Sequence, residues 1–220
     1  MHNPLGIPAF TWSSPWNMDD GSHAVERAAA LGYAIAAMGM SLDADISSAD
    51  REIAQKGEAR LMQAIAMARD IGATQMGGII YSALTKYTVA PTPEGRRRCI
   101  EILARCAEAA KAAGIAITLE PANRYESNLV NTAAQGLALV EAIGSDNVLL
   151  HLDTYHMNIE ENDIAQAIRA CGHKLGYFEV SESHRGYLGS GQVDFVSTFR
   201  ALAEIGYSGP IGFEAFTNNR

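Results

Sequence analysis

Six glycines, each closing a helical run, punctuate this chain: Gly32 in "AALGY", Gly72 in "RDIGA", Gly114 in "KAAGI", Gly144 in "EAIGS", Gly172 in "RACGH" and Gly206 in "AEIGY". Glycine just past a helix end supplies a left-handed backbone that other residues resist. A short apolar run follows each glycine, and the period of roughly 30 to 40 residues suits one strand, one loop and one helix. The pattern predicts strands near 6–12, 34–40, 75–80, 115–120, 147–153, 176–181 and 210–215. It predicts helices near 22–31, 51–71, 93–113, 132–143, 162–171 and 192–205. The strands are apolar almost throughout, as strands covered on both faces are. Thr92-Pro93-Glu94 reads as a helix start, and Thr132 with Gln135 as a capping box.

Seven strands alternating with helices predict an α/β fold in one domain over residues 1–220, either a TIM (β/α)8-type barrel or an open doubly wound sheet. Neither GxGxxG nor a P-loop follows the first strand, which weighs against nucleotide binding. A net charge of −8 argues against nucleic acid or an anionic membrane as partner. The sequence contains no apolar run of spanning length and no basic-then-apolar leader. Cys99, Cys106 and Cys171 form no CxxC pair; they read as packed thiols in a reducing cytoplasm.

"IAITLEP" is a buried strand that ends in a carboxylate, Glu120. Asp153 in "LLHLDTYH", Glu179 in "LGYFEVSE" and Glu214 in "PIGFEAF" hold the same place on the next three strands. In an α/β barrel the strand C-termini build the active site. Four acids converging there repel one another unless a cation joins them, and oxygen ligation favours Mn²⁺ or Mg²⁺, with Co²⁺ admissible. His151 reads as pointing away from these acids and serving structure. Asn123 and Arg124 read as loop residues, and Arg96, Arg97 and Arg98 as a solvated helix start. Trp12, Trp16 and Phe216 are candidates for an apolar wall.

"LEPANRYESNLVNTAAQG", "LHLDTYHMNIEE", "SESHRGYLGSG" and "GFEAF" resemble the D-tagatose 3-epimerase / L-ribulose 3-epimerase family, ketose 3-epimerases of the xylose-isomerase-like TIM-barrel superfamily. The resemblance runs from about Leu42 to the last residues. It implies Glu120 and Glu214 as metal ligands that double as the acid/base pair, Asp153 as a further ligand, and Glu126, His156 and Arg185 as holders of the sugar's oxygens. It implies epimerisation at C3 of a free ketose through an enediolate.

The chain departs from that pattern in two places. Glu179 stands where the family has a metal-binding histidine, so the site carries four carboxylates. One βα unit is absent near residues 33–34, where "AALGYAIAAMGMSLDADISS" runs straight through, and a closing helix is absent after "FEAF". Uncovered apolar surface then favours a homo-oligomer. The alternatives are an aldose–ketose or hydroxypyruvate-type isomerase, and a non-catalytic remnant acting as a binding or scaffold protein.

Overall fold

The computed structural model describes residues 5–6 and 35–216, with side chains from residue 38. The expected helix at 22–31, most of the first expected strand, Gly32, Trp12 and Trp16 lie outside these residues.

Seven strands form one sheet: β1 (Leu5–Gly6), β2 (Ile35–Met40), β3 (Gln75–Ala83), β4 (Ala116–Leu119), β5 (Val148–Asp153), β6 (Leu175–Val180) and β7 (Ile211–Phe213). All pairs are parallel, in the order β1-β7-β6-β5-β4-β3-β2. That cyclic order is the order of an α/β barrel wall, and it decides against the doubly wound alternative. β1 and β2 occupy its two ends and are not paired with each other among the described residues. The stretch joining these two strands is where the sequence reads one βα unit short.

The helices are α1 (Arg51–Asp70), α2 (Pro93–Ala112), α3 (Ala133–Ile143), α4 (Thr154–Glu160), α5 (Ile164–Cys171) and α6 (Phe195–Glu204). Their ends follow the sequence signals. Thr92 accepts a hydrogen bond from the Gly95 N–H at 3.0 Å with Pro93 in the first turn, and Thr132 and Gln135 close a reciprocal box. Gly72, Gly114, Gly144, Gly172 and Gly206 all have positive φ. α4 was not expected. It begins without a break where β5 ends, and no glycine or proline marks the change; the Asp153 carboxylate caps it by accepting the Tyr155 N–H at 2.8 Å. Among the described residues, no helix is long and apolar enough to cross a membrane.

Helix faces turned to the sheet carry the apolar residues. In α2 these are Cys99, Ile102, Leu103, Cys106, Ala107 and Ala110, at three- and four-residue steps. They join Ile80, Ile117, Leu119 and Leu150 of the strands in one core. A fully buried Leu or Ile contributes about 1.5–3 kcal/mol. The three cysteines are unpaired and buried, as expected, and burial pushes the Cys106 and Cys171 thiols up to about 12. They are packing groups, not nucleophiles.

Gly77 sits where β3 crosses Thr118 of β4. A Cβ there would lie 2.0 Å from Thr118 Oγ1 and 2.2 Å from the Thr118 carbonyl oxygen. The second atom is backbone and cannot rotate away. Gly77→Ala is therefore expected to destabilise the fold by about 3 kcal/mol, seen as a melting temperature lower by roughly 6–12 °C. An unchanged melting curve would contradict this close approach.

Candidate active site

Four strand ends deliver the acids. Glu120 follows β4 directly, Asp153 is the last residue of β5, Glu179 is the penultimate residue of β6, and Glu214 follows β7. Sheet register aligns them: Asp153 pairs with Glu179, and Glu179 with Gly212. All four are buried. Ligand atoms of Asp153, Glu179 and Glu214 lie within 4.8 Å of one another, as do those of Glu120, Asp153 and His156, and those of Glu120, His151 and Glu179. The three sets share members, so the strand-end acids form one connected donor cluster.

The orientation expected for His151 is overturned. Residues two apart on a strand face the same way, so His151 points with Asp153 into the cluster. Its Nδ1 lies 3.4 Å from Glu120 Oε2 and its Nε2 3.3 Å from Glu179 Oε2. The strand's alternation, counted from Asp153, was the signal available in the sequence.

α4 brings His156 back over the site. Its Nδ1 accepts the Asn123 backbone N–H at 3.1 Å, which places the ring proton on Nε2. That Nε2–H faces Glu120 Oε1 at 3.4 Å. Asn123 therefore does more than order a loop, and its Nδ2 also donates to Glu126 Oε1 at 3.1 Å. Arg124 points outward to Glu160, at 2.8 Å.

Arg185 lies in the β6–α6 loop with a left-handed φ of 59°. Its Nη1 donates to Asp153 Oδ2 at 2.7 Å and to Ser181 Oγ at 2.9 Å, and it is also ion-paired with Glu214. The guanidinium stacks on Tyr155, 4.1 Å from the ring centroid, with Phe216 at 5.3 Å. Phe216 is thus part of the surroundings of Arg185. The buried Nε of Arg185 has no hydrogen-bond partner among the described residues.

Sequence reading missed Glu182. It is fully buried, and its carboxylate accepts backbone N–H groups of Ser183 at 2.8 Å, Gly189 at 2.9 Å and Val193 at 3.1 Å. The loop carrying Arg185 is tied to this one side chain. Its signal was an acid among small residues in "SESHRGYLGSG".

The electrostatics show what the site suits. Four carboxylates face one arginine and two imidazoles. Burial opposes ionisation of Glu120, but His151 and His156 outweigh it and hold its carboxyl below the usual range. Burial raises Glu179, and the neighbouring His151 does not offset it. The donor set therefore fits a divalent cation: hard oxygen ligands in excess of positive charge, and a buried His151 Nε2 without a hydrogen-bond partner among the described residues.

A family model described as "Xylose isomerase-like TIM barrel" matches residues 5–220. This chain belongs to that family. Within the xylose isomerase-like family it groups with sugar epimerases. An L-ribulose 3-epimerase of Mesorhizobium japonicum is 46% identical over 210 residues, covering 95% of this chain and 70% of that protein. An L-ribulose 3-epimerase of a Methylomonas species is 39% identical over 241 residues, covering 97% of this chain and 84% of that protein. That matched stretch exceeds the 220 residues present here, so part of it has no counterpart in this chain. The solved D-allulose 3-epimerase from Methylomonas, in complex with D-allulose, superposes with a TM-score of 0.91 at 38% identity, covering 98% of this chain and 84% of that one.

Proposed function

We propose that this chain epimerises C3 of a free ketose sugar in a metal-dependent reaction. The observation that carries the reading is the donor cluster, in which Asp153 lies within 4.8 Å of ligand atoms from both Glu120 and Glu214. Relatives named L-ribulose 3-epimerase and a neighbour holding D-allulose support a ketose of five or six carbons.

A Mn²⁺, Mg²⁺ or Co²⁺ ion held by Glu120, Asp153, Glu179 and Glu214 would supply a Lewis acid beside the C2 carbonyl. The chain's own residues handle the proton. Glu120, held ionised, takes the C3 proton, and the C–H electron pair moves into the C2–C3 bond of an enediolate. Glu214 relays a solvent proton to the opposite face of C3 as the C2 carbonyl re-forms, and Glu120 releases its proton to solvent. The reverse substrate exchanges the two roles. His156 Nε2–H and the unpartnered Arg185 Nε–H suit donation to sugar oxygens, and Glu126 suits acceptance from a hydroxyl.

Turnover of L-ribulose and D-allulose in deuterated water tests the reading. The product is expected to be another ketose carrying deuterium at C3. Hydrogen retained at C3 would exclude the enediolate route, and an aldose product would replace epimerisation by isomerisation.

Glu179→His is expected to bind Mn²⁺ about tenfold more tightly, or about 1.4 kcal/mol, and to turn over faster. Glutamate adds a buried negative charge that burial also drives toward protonation. Calorimetric titration showing no tighter binding, with no faster turnover, would contradict this. Self-association belongs to the same proposal. Among the described residues β2 has a partner strand on one side only, and a strand edge left unpaired would seek a partner. Light scattering is expected to give a mass above that of one chain; a stable monomer would contradict it.

A further inference from the structure

We infer that His151 is a nitrogen ligand of the divalent cation, completing the donor set from the Glu120–Glu179 side. This rests on the metal-dependent reading above and goes beyond its four carboxylates.

Three observations converge. His151 is only 2% exposed, and its Nε2 has no hydrogen-bond partner among the described residues, although Glu179 Oε2 lies 3.3 Å away. A buried imidazole nitrogen normally finds a partner. Ligand atoms of Glu120, His151 and Glu179 lie within 4.8 Å of one another, a separation that one ion can span. The charges are also unevenly placed. Arg185 pairs with Asp153 and Glu214, so one end of the cluster has a cationic side chain. Among the described residues, the group that touches both Glu120 and Glu179 is the imidazole of His151.

Tautomers separate the two histidines. His156 Nδ1 accepts the Asn123 N–H, so its proton sits on Nε2, and no lone pair faces the acids. His151 is arranged the other way. Its Nδ1 faces Glu120 Oε2 at 3.4 Å, the carboxylate partner that fixes a ligating imidazole with its proton on Nδ1. With the cation bound the ring is neutral and Nε2 carries the free lone pair, the cation then taking over the positive charge that His151 holds beside Glu120. Tyr177 packs edge-on to the ring with centroids 4.5 Å apart and holds its orientation. The cluster's nitrogen donor thus comes from β5, the strand beside Glu179.

Pulsed EPR of the full chain loaded with Mn²⁺ tests this. Bound Mn²⁺ is expected to show ¹⁴N modulation of a directly coordinated imidazole. His156→Gln is expected to keep that modulation. His151→Gln is expected to lose it and to bind Mn²⁺ at least about tenfold more weakly, with circular dichroism reporting its fold. If His151→Gln does not fold, the wild type and His156→Gln spectra decide. Bound Mn²⁺ without nitrogen modulation in the wild type, modulation that survives His151→Gln, or modulation lost in His156→Gln would overturn the assignment while leaving the metal-dependent reading standing. A wild-type spectrum of free aquo-Mn²⁺ alone would overturn both.

Discussion

Glu120→Gln and Glu214→Gln are each expected to reduce deuterium incorporation at C3 by about 10²–10⁴-fold. Glutamine keeps the shape and one oxygen of glutamate, so the strand ends and the sheet register stay intact. What it loses is the ability to take up or deliver a proton. Glu120 is the sharper case. His151 and His156 outweigh its burial and hold its carboxyl below the usual range, which suits the base role proposed for it. Equilibrium dialysis against Mn²⁺ accompanies the assay, because both carboxylates also belong to the donor cluster. Lost exchange with metal retained assigns proton transfer to the carboxylate. Exchange that continues at the wild-type rate in either variant would remove that residue from the acid/base pair.

Glu182→Ala is expected to lower stability by about 2–4 kcal/mol, a melting temperature roughly 5–15 °C lower. On the proposed reading the variant is also expected to lose affinity for the ketose, because the loop that presents Arg185 is no longer tied down. The carboxylate satisfies at least three backbone N–H groups from inside the protein, and alanine leaves them buried without acceptors. Glu182→Gln is expected to recover part of the loss, since its carbonyl oxygen still accepts.

The pH dependence has a definite sign. Burial pushes the Glu182 carboxyl up, but the backbone donors outweigh it and hold it down at about 2. A carboxyl depressed in the folded state contributes its full stabilisation above its unfolded value, about 4.3. That contribution is lost as pH falls from there through the folded value. The difference in melting temperature between wild type and Glu182→Gln should therefore shrink as the solution is acidified across this window. A constant difference would show that the charge on Glu182 does not hold the loop.

The periodic elements were legible in the sequence because local physics decides them. The five described helix-closing glycines adopt positive φ because a side chain resists that backbone wherever it occurs. Thr92 and Thr132 cap their helices with bonds spanning only a few residues. Strand-end acids were legible too, since a carboxylate ending an apolar run is visible without any partner. The resemblance carried the epimerase assignment because its motifs are long and continuous. His151 lies two residues before Asp153 on the same strand, so its sequence position alone is sufficient to orient it toward the rim, against the expectation that it points away. α4 left no sequence mark because strand passes to helix without a breaker, with Asp153 serving as strand end and helix cap at once. Only the tertiary structure could bring Asn123 to His156, Arg185 to Asp153 and Glu214, and the 189–193 backbone to Glu182. Those contacts join residues far apart in the chain or separated by a loop. They exist because the parallel sheet aligns four strand C-termini at one rim, an arrangement set by the packing of the whole core.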